Sequence, residues 1–257
     1  MRELEAVYTV WLREMIRYYR AKERILASLA MPIFWLFIFG SGIRAPVFGG
    51  QVDYTSFIAP GVIVMALMFT SMHSGISVIW DRELGFMKEM LVAPVSRISI
   101  VIGKSLGGAT TALIQGTIIF LLIFGIQNLY SEYFSGVRIN ISTFLIVLPL
   151  MVLISLGIVG IGISIASLLD TLEGFGLIMN FIVMPMFFLS GALFPINNLP
   201  EWIRVVTYID PITYAVESLR FIMIGFSSIN FVLSFSVIFV FTFSTILIAN
   251  YLFNRRS

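Results

Sequence analysis

INISTFLIVLPLMVLISLGIVGIGISIASLL, residues 139–169, runs without a single Asp, Glu, Lys or Arg. Crossing a hydrocarbon core takes roughly 20 mostly apolar residues, so this stretch is long enough to span a membrane as a helix. Five more charge-free stretches flank it: 25–43, 54–80, 105–131, 174–200 and 221–254. Together the six take up well over half of the 257 residues. With 59% hydrophobic and only 12% charged residues, the chain is excluded from the ordinary soluble class. The pattern predicts an all-α membrane protein, a single domain over 1–257, with spans at about 25–43, 57–80, 99–126, 142–168, 175–194 and 230–253.

Composition removes several chemistries. A lone histidine, His73, and no cysteine exclude zinc sites built from His and Cys, thiolate-held iron, and disulfides. The sequence pI is near 9.0, but the net charge is only +2 and the cations flank apolar spans. Membrane lipids with anionic head groups are therefore the expected partner, and nucleic acid is not. The first apolar run exceeds a signal-peptide core and follows 24 residues containing four acids, which argues against a cleaved leader.

Charge also orients the spans. With six crossings, both termini share a side with the second and fourth loops. That side carries Arg2, Arg13, Arg17, Arg20, Lys22, Arg24, Arg82, Lys88, Arg97, Lys104, Arg255 and Arg256. Only Arg44, Arg138, Arg204 and Arg220 lie opposite. Basic residues near span ends stay in the cytoplasm, so both termini are expected there.

Residues 1–24 read as an amphipathic interfacial helix. Leu4, Val7, Tyr8, Trp11, Leu12, Met15, Tyr18 and Tyr19 recur at helical spacing, and Arg13, Arg17, Arg20 and Arg24 form a basic face. Such a helix lies in the head-group layer with its arginines among phosphates, or is a cytosolic helix packed on a partner protein, and both can hold at once. Within the spans, the GxxxG pair Gly103/Gly107 and the small residues Gly157, Gly160, Gly162 and Ser164 mark faces where helices approach closely. Pro32, Pro149 and Pro185 are candidate kinks. His73, near Ser71, Ser74 and Ser77, is read as an interhelical hydrogen-bonding group, or else as part of a transport route; Gln115 and Asn180 are read in the same way. Lys104 is expected to snorkel to the cytoplasmic interface.

The fifth loop, 195–228, is apolar for a loop. Pro200 can open a helix through Glu201 and Trp202, and Pro211 another through Tyr214, Glu217 and Arg220, the last two spaced to pair. A seventh crossing here would carry both charges into the membrane at about 2.5–3.5 kcal/mol each near its centre. Two re-entrant helices dipping into the outer face cost less.

Several motifs fail on inspection. Gly103-Lys104-Ser105 resembles the end of a P-loop, but Ile98 stands where the first glycine belongs. Leu189-Ser190-Gly191 echoes an ATPase signature yet ends an apolar span. An intramembrane serine protease would need a glycine where Phe188 sits, and one histidine cannot make HExxH. The sequence therefore predicts no enzyme, with no catalytic, cofactor or metal residues of its own.

The second loop is the informative one. Over 81–97 it reads as a short cytoplasmic helix bridging two spans, with Leu84, Met87 and Leu91 on one face and Arg82, Glu83, Lys88 and Glu89 supplying charge. Pro94 ends it. A rigid bridge of this kind suits the transmission of a push from a soluble partner.

Here the chain resembles the type-two ABC exporter permeases. Arg82-Glu83, Gly85, Leu91-Val92-Ala93-Pro94-Val95-Ser96-Arg97 and Gly103-Lys104 are similar to that family's cytoplasmic loop. Leu189-Ser190-Gly191-Ala192-Leu193-Phe194-Pro195, then Leu199-Pro200 and Asp210-Pro211-Ile212-Thr213-Tyr214, are similar to its segment after the fifth helix. Many members carry a Thr-Leu-Glu-like run where this chain has Phe86-Met87-Lys88. The resemblance implies a permease that pairs with a second permease subunit, identical or related, and with a separate ABC ATPase subunit that holds the ATP. It further implies a coupling helix, with Arg82, Glu83, Gly85, Met87, Leu91, Pro94 and Arg97 as its site residues. Asp170 and Glu173 in the fourth loop would make a smaller contact. Glu201, Trp202, Tyr214, Glu217 and Arg220 would form an outer gate. Export of a lipid, glycan or drug-like substrate follows from the same resemblance; an ion-driven secondary transporter or channel is the competing expectation.

Overall fold

The computed structural model describes residues 2–42, 46–47, 52–92, 94–129 and 140–256. Arg44, Ala93 and Arg138 lie outside these residues, as do the side chains of Arg24, Lys88, Leu91 and Arg256. The described chain starts with α1 (Arg2–Arg20), and after Ala21 alone comes α2 (Lys22–Gly42). The two form an elbow bent by 71°. A two-residue antiparallel pairing follows, β1 (Pro46–Val47) on β2 (Val52–Asp53), and the described residues after it form helices and their connections.

α3 (Tyr54–Glu83), α4 (Phe86–Val92), α5 (Arg97–Leu129) and α6 (Ile141–Leu168) follow. The fifth span is interrupted: α7 (Leu172–Ile178), a π-turn over Met179–Val183, then α8 (Met184–Leu189). Two short helices, α9 (Glu201–Ile209) and α10 (Pro211–Ile224), precede α11 (Phe231–Arg256). Among the described residues, five stretches are long and apolar enough to cross a membrane, and the bent α1–α2 pair brings the number to as many as six. The protein is an all-α, multi-pass membrane protein.

Local chemistry explains the boundaries. Asp53 caps α3 by accepting from the Ser56 amide at 3.0 Å, and Asn140 caps α6 by accepting from Thr143 at 2.8 Å. Thr171 opens α7 by accepting from the Gly174 amide at 3.2 Å. Pro185 has no amide hydrogen to give, and the turn before it widens so that the Met184 amide reaches the Met179 carbonyl. The fifth span ends at Leu189, five residues short of the expected 194, because Ser190 and Gly191 turn the chain, Gly191 at φ 73°.

α3 is the axis of the bundle. Its most apolar window is 83% buried, against 17% for the fifth span and 22% for α11. It packs against α2, α5, α6 and α10, whereas α11 lies mainly on α6. The small residues of α6 serve both sides. Gly157 and Gly160 meet Thr242, Phe241 and Thr245 of α11, while Gly162 meets the α3 backbone at Met72 and Gly75.

Candidate functional site

The cytoplasm-facing charges expected from the sequence converge on a buried carboxylate. Asp81, in the last turn of α3, has no exposed surface. It accepts from Lys104 Nζ on α5 and from Arg13 Nη2 on α1, and from Arg17 Nη2 at 2.8 Å. Lys104 is 1% exposed and also donates to Ser77 Oγ at 3.2 Å and Glu14 Oε1 at 3.4 Å. Glu14, a further buried acid, lies 3.7 Å from Arg17. Removing such charges from water is costly unless they are paired and hydrogen-bonded, and here each one is. Lys104 therefore does not snorkel: Asp81 and Ser77 on the neighbouring helix give its ammonium a partner closer than the interface.

The same cluster sets the orientation of the N-terminal helix. Arg13 and Arg17 pair with Asp81, while Arg20 is exposed. α1 packs lengthwise on α5. Glu3 sits at the start of α5, accepting from the Ser96 amide at 3.1 Å, Ser96 Oγ at 2.8 Å and Ser99 Oγ at 2.6 Å. The hydrogen bonds from Ser99, then Ser96, hold the Glu3 carboxyl below the usual carboxylate range. Farther along, Val7 and Val10 cover Gly103, Glu14 covers Gly107, and Trp11 Nε1 donates to Thr110 Oγ1 at 3.1 Å. A Cβ at Gly103 would stand 2.7 Å from Val10 Cβ, and one at Gly107 would stand 2.7 Å from Glu14 Cβ. The GxxxG pair is thus the seat of α1, a contact that sequence spacing left unassigned.

Around this cluster the loop residues separate. Arg82 and Glu83 complete the last turn of α3, and Gly85, at φ 81°, breaks the chain before α4. The helical part of 81–97 distinct from the spans is therefore the seven residues of α4. Arg82 Nη1 donates to the Leu169 carbonyl at 3.1 Å and to Asp170 Oδ1 at 3.0 Å, joining the second loop to the fourth. Arg97 Nη1 donates to the Asn254 carbonyl at 2.8 Å, joining it to the end of α11. The expected apolar stripe divides: Met87 is buried, Leu84 is exposed, and the Leu91 side chain lies outside the described residues. Glu83, Glu89 and Pro94 are exposed.

The residues assigned to an outer gate also divide. Glu201 and Trp202 lie on the exposed face of α9. Tyr214 is half-buried and donates to the Tyr208 carbonyl at 2.7 Å. Glu217 and Arg220 are wholly buried and paired through Glu217 Oε1 and Arg220 Nη1. Arg220 Nη2 donates to the Gly191 carbonyl at 2.9 Å, Nε donates to the Phe57 carbonyl at 3.4 Å, and the guanidinium stacks 3.9 Å from the Phe57 ring centre. Glu217 Oε2 accepts from the amides of Ser228 and Ile229. The pair staples α10 to α3 and to the turns at 191 and 228.

The mid-span polar residues follow the plainer expectation in part. Gln115 Nε2 bridges helices, donating to Ser28 Oγ at 2.6 Å and Tyr18 Oη at 3.1 Å. His73 Nδ1 lies 2.6 Å from the Phe69 carbonyl of its own helix, beside a cavity of about 170 Å³ that Tyr18, Thr70 and Gln115 also line. Asn180, expected in a bundle contact, is exposed on the fifth span within the π-turn.

The role of Asp81, Glu14 and Lys104 as one unit escaped sequence reasoning. The available signal was two opposite charges, Asp81 and Lys104, at the same-side ends of consecutive spans. Nothing in the sequence placed Glu14 against them.

Comparison with known proteins gives a consistent result. The ABC-2 type transporter family matches residues 5–224. Nodulation protein J of Rhizobium leguminosarum bv. viciae is 28% identical over 253 residues, covering 96% of this chain and 93% of its own. The protein ycf38 of Cyanophora paradoxa, named as a transport permease, is 29% identical over 241 residues, covering 90% of this chain and 80% of its own. YbhR of Escherichia coli (strain K12), named as a multidrug ABC transporter permease, is 31% identical over 183 residues, covering 71% of this chain and 47% of its own.

Proposed function

The chain belongs to the ABC-2 type transporter family, and from that premise we propose that it is the permease subunit of an ATP-driven exporter. Family membership makes it the membrane component of an ABC transporter, and such a component implies an ATPase partner. In our reading the nucleotide sites lie entirely on that separate subunit, two permease subunits share the membrane, and both termini face the cytoplasm of a cell-membrane transporter. The charge bias of the loops supports the orientation. Asn180, a polar side chain exposed on an apolar span, supports a protein neighbour at the fifth helix. The cargo is a lipid, glycan or drug-like molecule.

One observation carries the coupling role. Asp81 and Arg82, adjacent at the end of α3, are tied in different directions: Asp81 to α1 and α5, Arg82 to the end of α6. A force applied to α4 therefore reaches four helices through hydrogen-bonded charges rather than through a loose loop. α4, with Arg82, Glu83, Gly85 and Met87 before and within it and Pro94 and Arg97 after it, is the docking element for the ATPase. Leu91 completes the set by its place in the sequence.

The test is reconstitution with the cognate ATPase subunit. The permease alone hydrolyses no ATP, and the complex shows substrate-stimulated hydrolysis and export. Reversing both charges, Arg82→Glu with Glu83→Arg, uncouples hydrolysis from export while insertion persists. Export at the wild-type rate by that double variant refutes the docking role.

A further inference from the structure

At the elbow between α1 and α2 lies a cavity of about 490 Å³, lined by Arg13, Ile16, Arg17, Arg20, Ala21 and Phe86. Phe86 is the first residue of α4, so one wall belongs to the elbow and the other to the proposed docking helix. Three arginines thus line it together with the apolar Ile16, Ala21 and Phe86. Ile16 is 45% and Phe86 44% exposed. No carboxylate lines the cavity among the described residues.

The charges behind it do not balance. Arg13, Arg17 and Lys104 share two carboxylates, Glu14 and Asp81, which leaves one positive charge in excess. Arg20 is exposed and forms no ion pair within 4 Å among the described residues, adding a second. Excess positive charge beside exposed hydrocarbon is complementary to an anion that carries its own apolar body. The guanidinium fork matches phosphate oxygens in particular.

We propose that this cavity binds an anionic, phosphate-bearing amphiphile, with the phosphate held by Arg17 and Arg20 and the apolar part against Ile16 and Phe86. A bound molecule bridges the elbow and α4. The site depends on the chain lying in a bilayer and not on export, so its failure and that of the exporter reading are separable.

The test is native mass spectrometry of the full chain in detergent, titrated with phosphatidylglycerol, phosphatidylcholine or inorganic phosphate. One phosphatidylglycerol is expected to bind and to outlast phosphatidylcholine. Arg20→Gln, whose side chain is exposed, weakens it about tenfold, as loss of one charge-assisted hydrogen bond does, at unchanged melting temperature. Phe86→Ala weakens the lipid but not the phosphate ion. If inorganic phosphate displaces the lipid at equal concentration and Phe86→Ala has no effect, the ligand is free phosphate and the amphiphile assignment is overturned. Equal retention of both lipids, or Arg20→Gln binding like wild type, overturns the proposal.

Discussion

Replacing Arg220 by methionine is the sharpest test of how the connection between the fifth and sixth spans is held. The substitution keeps most of the side-chain volume and removes five N–H donors. It strands Glu217, which is fully buried, with only the amides of Ser228 and Ile229 among the described residues to hold its charge. It also takes a donor from the carbonyls of Gly191 and Phe57 and a cation from the Phe57 ring. Breaking a buried pair from one side costs about 3–5 kcal/mol, mostly the penalty of the orphaned charge. At about 2–4 °C per kcal/mol for a chain of this size, the melting temperature falls by roughly 6–20 °C. The double variant Glu217→Leu with Arg220→Met removes both charges and recovers most of the loss, since an apolar replacement of a buried pair is often neutral. Differential scanning fluorimetry of the wild type, both single variants and the double variant in one detergent closes the cycle. The reasoning fails if Arg220→Met melts within about 3 °C of wild type, roughly 1 kcal/mol, or if the double variant is as unstable as the single variants combined.

Two further predictions concern the link between α9 and α10 and the contact of α1 with α5. Asp210 lies outside the spans in the link between α9 and α10, and burial raises its carboxyl from 3.8 to about 7 despite the hydrogen bond from the Ile212 amide. The unfolded chain sheds this proton near 3.8 while the folded chain keeps it, so stability is greatest at low pH and declines as pH rises to about 7. Asp210→Asn keeps the cap and removes the titration; its melting advantage over wild type should grow from pH 5 to pH 8, and parallel profiles would contradict the assignment. Gly107→Leu should drive α1 off α5, because even a Cβ would come within 2.7 Å of Glu14 Cβ. A destabilisation of about 1–3 kcal/mol with faster tryptic cleavage at Arg13 and Arg17 is expected, and cleavage at the wild-type rate would show that the contact is dispensable.

The spans were legible because their signal is local. Long charge-free runs need only hydropathy to be read. The two short helices opened by Pro200 and Pro211 were legible for the same reason, as was the pairing of Glu217 with Arg220 three residues apart. The lesser errors were local as well. The fifth span ends early because Gly191 adopts a positive φ, and the helix expected over 81–97 divides at Gly85 for the same cause. A glycine in a sequence permits such a turn without requiring it.

What the sequence determined by itself is the solvent of this protein, its class and its family, since hydropathy and linear motifs do not depend on which helix neighbours which. What only the tertiary structure decided is where the charges go. Arg13, Arg17, Lys104, Glu14 and Asp81 lie on three helices as much as 91 residues apart in the chain, and they meet because small residues at 103 and 107 let α1 approach α5. Whether a charge snorkels, meets lipid or is buried in a pair depends on which partner is nearest in space, and that distance is a property of the packed bundle.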